Sequence, residues 1–527
     1  MKLISKIEKK KELFYFFCLL ISSISINQYY GYIGVYPIDS FLFFDSGYRT
    51  LNGYFPFKDY WAPTGPLLDI IQALFFKIFG VNWFSYVLHA SVFNFFITIA
   101  TFYTLNKFTL NIHLSFFYSL LLSIVAYPIS GTPFIDHHST ILSLLALFSF
   151  VLSIKTKENF YWFYTPIFLA LAFLSKQTPA GYVGLIIIFF SLVYFIYNFD
   201  FKKIILSASG SFFIIILFFL FLSINKIPFH LFYEQYITYP LNIGDGRFET
   251  LFFPIEFKRI ILRFKLIHLA QLILMVVVIK NIINNKKYLK SDEFFILTSI
   301  ITTSLALIFH QLVTLNQKFI FFIIPILLGF SHIYLKKEFL NKTYFFYFLI
   351  FLGIGSTFYY KYSYADNRRF MELANTNLNK SINAIHLNRK LKDLKWINPN
   401  FEGDPKEEIE YIKKSIEIVK KDNRKKMVIT EYQFIAALMP DIVYSPSRTY
   451  SLNGAAHPLI GDRQFEIYKN YFINQIINND VKIIYIVKPL GAYIYSSIIS
   501  DECIKKTELN EILSSHLIVS CDAWDNN

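Results

Sequence analysis

The chain has 527 residues, of which 54% are hydrophobic and only 17% are charged, and its mean hydropathy is +0.42. This composition excludes an ordinary water-soluble domain and is typical of a chain that mostly faces lipid. The formal net charge of +14 does not indicate a nucleic-acid partner, because the Lys and Arg residues form short clusters between apolar runs.

The chain begins with a basic segment, Met1–Lys11, which is followed by an apolar stretch from Leu13 to about Ile26. We interpret this stretch as an uncleaved first membrane helix, since no clear cleavage site follows it; the alternative is a cleaved signal peptide. Together with ten later stretches it gives eleven apolar windows long enough to cross a hydrocarbon core of ~30 Å. These windows cover residues 12–30, 83–105, 114–130, 138–154, 159–175, 179–198, 204–224, 265–280, 293–310, 317–335 and 343–360.

The basic residues between the windows predict the orientation in the membrane. With the N-terminus in the cytoplasm, every short basic loop lies inside, as the positive-inside rule requires. An odd number of helices then places the first loop (residues 31–82) and the tail (residues 361–527) outside the cytoplasm. We therefore predict a multi-pass protein of a bacterial inner membrane with a cytoplasmic N-terminus. The inside lysines are Lys107, Lys155, Lys157, Lys202, Lys203, Lys280, Lys286, Lys287, Lys290, Lys336, Lys337 and Lys342.

The first loop contains the most distinctive motif of the sequence. Asp39 directly follows the first helix, Asp45 comes next, and residues 51–68 read LNGYFPFKDYWAPTGPLL. A carboxylate close to apolar surroundings can have its pKa raised toward the range of a general base. The run Leu67–Phe79 is too short to span the membrane and apolar enough to lie at its interface.

This loop resembles that of membrane glycosyltransferases of the GT-C fold. The resemblance rests on an acid after the first helix, the pattern Leu-x-Gly-x-x-Pro-aromatic-x-Asp-aromatic, and a Pro-rich entry to an interfacial helix. The pattern is similar to that of the protein O-mannosyltransferases and of the aminoarabinose transferases of lipid A modification. Many relatives have Asp-Glu where this chain has Asp39-Ser40, so the role of the second acid is absent or has passed to Asp45. The matching positions are Asp39, Leu51, Gly53, Pro56, Phe57, Asp59, Tyr60 and Pro66.

The resemblance implies a transferase that moves a hexose or pentose from a polyprenyl phosphate to an acceptor, with inversion. Asp39 would be the catalytic base, with Asp45 as the second candidate, and Asp59 would bind substrate. The alternative is that these acids cap the loop or pair with Arg49. The acceptor stays open: it could be lipopolysaccharide, another glycan, a lipid or a protein.

The second external loop, Gly131–His138, ends in Asp136-His137-His138. The resemblance makes Asp136 the acid near the leaving phosphate, acting directly or through a divalent cation such as Mg²⁺ or Mn²⁺. Metal binding by the two histidines is the weaker interpretation, because adjacent residues of one segment rarely reach the same ion. The alternative is a pair of hydrogen-bonded histidines at the membrane interface.

A lipid-phosphate donor requires cations at the external face, because its phosphodiester is anionic and the leaving group gains charge. Candidate substrate-binding residues lie on the predicted external face. They are Lys176 with Gln177 and His310, at external turns, and Arg247, in a long external loop. Alternatively, Lys176 extends its ammonium to the interface as lysines near helix ends do, and Arg247 pairs with a neighbouring acid.

The tail has the character of a soluble domain, and the alternation of its segments predicts a small α/β domain with a short parallel sheet. A turn-rich stretch, Arg448–Pro458, has no role that the sequence assigns. The predicted helices are Glu407–Lys421 and Phe465–Ile477, and the predicted strands are Met427–Thr430 and Val481–Val487.

The cysteines agree with an oxidising compartment for the tail. Cys503 and Cys521 are its only two cysteines, and a disulfide between them would add about 3 kcal/mol of stability by loop closure. The alternative is two buried thiols. We thus expect two domains, a transmembrane domain over residues 1–360 and an extracytoplasmic domain over residues 361–527.

Two other classes of function remain open. A lipid-linked sugar flippase or other transporter is expected to show ionisable residues inside its spans or internal hydropathy symmetry. A non-catalytic protein of envelope assembly would not need the first-loop motif. The sequence contains no Walker-type glycine loop, metalloprotease helix, nucleophile elbow or Rossmann fingerprint.

Overall fold

A computed structural model describes residues 2–127, 131–251, 257–314, 319–338, 343–366, 373, 376–441, 443–450, 454–488 and 490–519. Their side chains are described as well, except those of residues 2–9, 246–251, 319, 338, 365, 366 and 492.

Helices form most of the described chain. In chain order they are α1 (Lys2–Gly31), α2 (Pro37–Ser40), α3 (Phe44–Leu51), α4 (Leu67–Phe79), α5 (Trp83–Lys107), α6 (Ile112–Val125), α7 (Ile135–Thr156), α8 (Phe160–Ser175), α9 (Gln177–Tyr197), α10 (Phe201–Ile224), α11 (Phe229–Tyr233), α12 (Tyr239–Leu251), α13 (Lys265–Asn284), α14 (Asp292–Val313), α15 (Ile323–Glu338), α16 (Thr343–Tyr360), α17 (Pro405–Lys421), α18 (Ile435–Leu438) and α19 (Phe465–Asn478).

Each predicted window contains an apolar helix, which confirms a mainly α, polytopic membrane protein. Within the described ranges, nine helices are long and apolar enough to cross a membrane. The two shorter apolar helices are α6, with 14 residues, and α8, with 16. At 1.5 Å per residue they extend about 21 and 24 Å, less than a ~30 Å hydrocarbon core. A count of eleven spans therefore stays a prediction.

The chain divides into two compact units. The helical unit comprises residues 1–31, 90–220 and 247–370, and the loop–tail unit comprises residues 32–89, 221–246 and 371–527. In this division the first loop and the tail belong to the same compact unit, while the two domains over residues 1–360 and 361–527 stay a prediction. Hydrophobic patterning reveals membrane spans but does not reveal which loops share a core, so it could not predict this grouping.

In the helical unit, the segment that leads into α7 runs very close to the end of α1. Gly131 has a φ of +69°, and a Cβ there would lie 2.3 Å from the Cα of Gly31. The side-chain amide of Asn27 donates to the carbonyl oxygen of Gly131 at 3.1 Å. Only glycine fits this left-handed, crowded position. Gly131 thus fixes where α7 begins, and with it the position of Asp136.

The loop–tail unit contains six strands: β1 (Ile382–Asn383), β2 (Lys395–Trp396), β3 (Lys426–Ile429), β4 (Ile483–Val487), β5 (Ile504–Glu508) and β6 (Leu513–Ile518). The last four form a sheet in the order β3-β4-β6-β5. Only β3 and β4 are parallel, with Met427 opposite Ile484, and α19 lies in the connection between them. The two strands predicted from the sequence thus pair in parallel, as expected, and β6 and β5 extend the sheet antiparallel, so the complete sheet is mixed.

The core of the loop–tail unit takes residues from three distant parts of the sequence. Trp61 of the first loop and Tyr239 pack with Met427 of β3 and Tyr468 of α19, and all four side chains are at most 1% exposed. The Trp61 ring lies edge-on to Tyr468, with 5.2 Å between the ring centroids. Burial of such large rings contributes strongly to stability. The first loop is therefore an integral part of this fold.

The start of the first loop is fixed by backbone pairing with β2. Gly34 donates its N–H to the carbonyl of Lys395, and Val35 to that of Ile397, both at 3.0 Å. Lys395 in turn donates to the carbonyl of Tyr32 at 2.9 Å. These hydrogen bonds hold the chain immediately before α2, which contains Asp39.

Candidate active site

Asp39 lies in α2, a single turn that Pro37 begins. The fixed φ of proline favours the first position of a helix, and Ser40 Oγ accepts the N–H of Tyr36 at 2.8 Å to close the turn. The side chain of Asp39 is half-buried, whereas Asp45 and Asp69 are at most 1% exposed. Of these three first-loop acids, Asp39 is the most exposed.

Asp45, the second candidate for the base, is fully occupied by contacts with the tail. Its two carboxylate oxygens accept the N–H groups of Ala436 at 3.0 Å and Ala437 at 2.9 Å, at the start of α18. Its own N–H donates to the carbonyl of Gln433 at 2.8 Å. Burial raises the pKa of Asp45 to about 6, against the opposing effects of Arg49 and of the two N–H donors. This geometry fits a residue that holds the fold together better than a proton acceptor for substrate.

The raised pKa of Asp45 predicts a specific pH dependence of stability. A carboxyl group that binds its proton more tightly in the folded state stabilises the fold below about pH 4, and this contribution is lost as the pH rises through about 6. We expect the unfolding temperature of the wild type minus that of Asp45→Asn to decrease as the pH rises from 4 to 7. Thermal unfolding of both purified proteins across this range measures the difference, and a constant difference would contradict the shifted pKa.

Asp59 closes a tight turn of the first-loop motif. Its carboxylate accepts the N–H of Phe55 at 2.7 Å, and the Lys58 ammonium lies 3.7 Å away. Burial raises the pKa of Asp59, which those two groups oppose. Phe57 has a φ of +74°, a strained value for a bulky residue, and Gln235 holds its carbonyl by a hydrogen bond of 2.8 Å. The loop is thus held rigidly around Asp59.

Asp59 and Arg49 line a pocket of about 110 Å³ in the loop–tail unit. Within the described part of the chain, no carboxylate lies within ion-pair distance of the Arg49 guanidinium, although Arg49 opposes the raised pKa values of Asp45 and Asp59. Planar donors next to aromatic rings are typical of sites for sugars and anions. The other lining residues are Tyr48, Asn52, Tyr54, Tyr60, Ala436, Pro440, Asp441, Val443 and Tyr444.

A buried ion pair that sequence reasoning missed joins the tail to the entry of α4. Arg448 pairs with Asp69, and the two side chains are 2% and 0% exposed. Arg448 also binds Thr64 and the carbonyl of Gly65, and its guanidinium lies 5.3 Å from the centroid of the Phe43 ring. The sequence feature that could have indicated this ion pair was Asp69, a single acid inside the apolar run of α4. Arg448 thereby gives the turn-rich stretch of the tail a positioning role.

In the helical unit, Asp136, Lys176 and His310 form one cluster. Asp136 begins α7, Lys176 precedes α9, and His310 lies in the last turn of α14. The Lys176 ammonium donates to both Asp136 oxygens at 2.9 and 2.8 Å, and His310 Nε2 lies 2.9 Å from Asp136 Oδ1. Asp136 and His310 are at most 3% exposed. Three residues predicted separately for phosphate binding thus meet.

The remaining histidines of this loop do not join the cluster. His138 Nδ1 is hydrogen bonded to the Tyr127 hydroxyl at 2.7 Å, and the His137 ring stacks on Phe322. Successive residues of a helix point about 100° apart, so Asp136, His137 and His138 face different neighbours. No group of three or more His, Cys, Asp or Glu residues that could hold a metal ion occurs within the residues described. The divalent cation stays an expectation from the resemblance.

Four predicted residues lie outside these clusters. Gln177 is half-buried at the start of α9, next to Lys176. The side chain of Arg247 lies outside the described residues. Cys503 is disulfide-bonded, and Cys521, its expected partner, lies outside the described residues.

Comparison with known proteins supports the family resemblance. The sequence profile of a family described as dolichyl-phosphate-mannose-protein mannosyltransferase matches residues 63–224, and a search of curated proteins found no match. The matched segment includes Asp136 and Lys176 but begins after most of the first-loop motif. The chain is thus similar to GT-C mannosyltransferases, as predicted, and the match supports a membrane glycosyltransferase with a polyprenyl-phosphate sugar donor.

Proposed function

We propose that this protein transfers a sugar from a polyprenyl phosphate to an envelope acceptor at the external face of a bacterial inner membrane, with inversion at the anomeric carbon. The observation that carries the proposal is the buried cluster of Asp136, Lys176 and His310. Two of its members lie within the segment that matches the mannosyltransferase family. A lysine held at the end of membrane helices could bind the phosphate of a lipid whose tail lies between those helices.

The cluster would stabilise the leaving phosphate. An ammonium has three N–H donors, and Asp136 takes two of the Lys176 donors, which leaves the third for a phosphate oxygen. Asp136 and His310 hold the lysine in one position, so little reorganisation is needed as negative charge develops on the leaving group. Arg247 would contribute a second cation to the same phosphate.

As the resemblance implies, Asp39 would act as the base. Its carboxylate takes the proton of an acceptor hydroxyl, and the hydroxyl oxygen forms a bond to the anomeric carbon. The bond between that carbon and the phosphate oxygen breaks, and polyprenyl phosphate leaves with the electron pair. The side-chain exposure of Asp39, greater than that of Asp45, supports this assignment. The pocket around Arg49 and Asp59 would hold the acceptor.

The proposal is tested by transfer from polyprenyl-phosphate sugars to membrane acceptors with the purified full chain in liposomes. We expect Lys176→Gln to lower the turnover number by about 100-fold, as removal of one donor to a developing oxyanion does. Product formation at saturating donor measures the change. Absence of transfer from any such donor by the wild type would overturn the proposed function.

Two further variants separate chemistry from folding. Lys107→Gln removes a lysine that pairs with Glu158 at 4.0 Å and is 39% exposed, and it should keep full transfer. Asp136→Asn/Lys176→Gln removes both buried charges, so we expect it to insert stably and to remain inactive. Normal turnover by Lys176→Gln, with intact insertion, would remove the phosphate role of the cluster.

A further inference from the structure

The helical unit contains a pocket of about 1020 Å³ at the end opposite Asp136. Lys155 lines this pocket and lies in the last turn of α7, whereas Asp136 lies in the first. Nineteen residues of helix separate the two, which is about 28 Å at 1.5 Å per residue, close to the thickness of a hydrocarbon core. The pocket therefore lies about one membrane thickness from the proposed phosphate cluster, among the lysines predicted to be cytoplasmic.

The pocket has an excess of positive charge. Lys155, Lys336 and Lys337 line it, and Glu293 is the acid among its lining residues. Lys337 pairs with Glu293. Across the described ranges, Lys155 and Lys336 have no carboxylate within ion-pair distance, and both are exposed to solvent. The pocket thus offers two uncompensated ammonium groups to an anion.

His332 presents a buried polar atom in the same pocket. Its side chain is only 2% exposed, and its Nδ1 lies 3.0 Å from the Tyr118 hydroxyl. Its Nε2 has no hydrogen-bond partner among the residues described. When Tyr118 donates to Nδ1, Nε2 carries the proton and is a donor. A buried donor without a partner is costly in an empty pocket and is satisfied by a bound acceptor.

The remaining wall is apolar. Leu114 and Phe346 line the pocket, and the Phe346 ring stands edge-on to His332 with centroids 4.3 Å apart. An inorganic anion would leave this surface uncovered, whereas a lipid covers it with its chain. Cations beside an apolar wall at the cytoplasmic end of membrane helices are typical of sites for anionic lipid headgroups.

We propose that this pocket binds the phosphate group of a membrane lipid, either a glycerophospholipid or a polyprenyl phosphate. Lys155 and Lys336 neutralise the phosphate, His332 Nε2 donates to one of its oxygens, and the chain lies along Leu114 and Phe346. The site is separate from the Asp136 cluster and does not require that the protein transfer sugar.

Native mass spectrometry of the full chain, titrated separately with undecaprenyl phosphate, phosphatidylglycerol and uncharged undecaprenol, tests the site. We expect Lys155→Gln/Lys336→Gln to bind at least one phosphate lipid about tenfold more weakly than the wild type. The matched control, Lys286→Gln/Lys287→Gln, removes two exposed lysines of the same predicted face that do not line the pocket, and its affinity should be unchanged. The lipid with the larger loss is the occupant.

Further variants distinguish this site from the proposed active site. In the Lys176→Gln background the loss caused by Lys155→Gln/Lys336→Gln should persist, because the two sites are separate. His332→Phe removes both ring nitrogens, so it should also weaken binding, and it should lower the unfolding temperature because the buried Tyr118 hydroxyl loses its partner. Equal loss in the lysine control, no loss in the pocket variants, or undecaprenol binding as tight as undecaprenyl phosphate would overturn the proposal.

Discussion

Replacement of Asp39 by Asn is expected to lower sugar transfer by about 10²- to 10⁴-fold, the range that a positioned general base contributes. Asn keeps the size of the side chain but cannot accept the proton of the acceptor hydroxyl. The half-buried position of Asp39 on a single helical turn means that the substitution should leave the fold intact. The initial rate of transfer at saturating donor and acceptor measures the loss.

The matched control is Asp45→Asn, the same change at the other candidate acid. Because both oxygens of Asp45 bind the backbone of α18, we expect this variant to keep most of the transfer rate. Its effect should appear in the pH dependence of unfolding. Full activity of a stably inserted Asp39→Asn protein would eliminate Asp39 as the base. Loss of transfer in Asp45→Asn alone would move the assignment to Asp45.

Replacement of Arg448 by Met is expected to destabilise the protein by about 3–5 kcal/mol, the cost of leaving a buried charge without its partner. Asp69 is completely buried, and burial already raises its pKa against the opposing effect of Arg448. Without the guanidinium, the Asp69 carboxylate either stays charged in an apolar site or takes up a proton. Chemical denaturation of the purified protein, followed by tryptophan fluorescence, measures the change in the free energy of unfolding.

Two comparisons isolate the buried pair. Asp69→Leu/Arg448→Met removes both charges, and we expect it to recover most of the lost stability, because a packed apolar pair often replaces a buried ion pair without loss. Arg424→Met removes a partly exposed arginine that pairs with Asp422 at 2.8 Å, and its cost should stay below about 1 kcal/mol. A loss in Arg448→Met as small as that in Arg424→Met would refute a strong contribution from the pair.

Patterns confined to neighbouring residues predicted much of the fold. The run Leu67–Phe79 forms a helix with those bounds, and the two longest helices of the tail, α17 and α19, begin and end within two residues of the predicted limits. Apolar windows gave the membrane helices for the same reason, since helix length and hydropathy are local properties. In the tail sheet, β5 and β6 were not predicted, and the sequence of β5, IKKTE, has little hydrophobic alternation.

Contacts between distant residues could not be predicted in this way. Asp136 lies 40 positions from Lys176 and 174 from His310, so the sequence suggested each as a phosphate ligand but not their cluster. The pairing of Arg448 with Asp69 spans 379 positions and follows no periodicity. The role of Asp45 was open for the same reason, because both of its hydrogen-bond partners lie in the tail.

The shared core of the first loop and the tail also sets an order of events during synthesis. Asp45 meets its partner Ala436 across 391 residues, which take about 20 to 80 s to translate at 5–20 residues per second. Until then Trp61 and the residues around Asp39 lack the strands that complete their surroundings. The growing chain therefore inserts its first helices before the first loop can fold completely, and segments synthesised much later complete that fold.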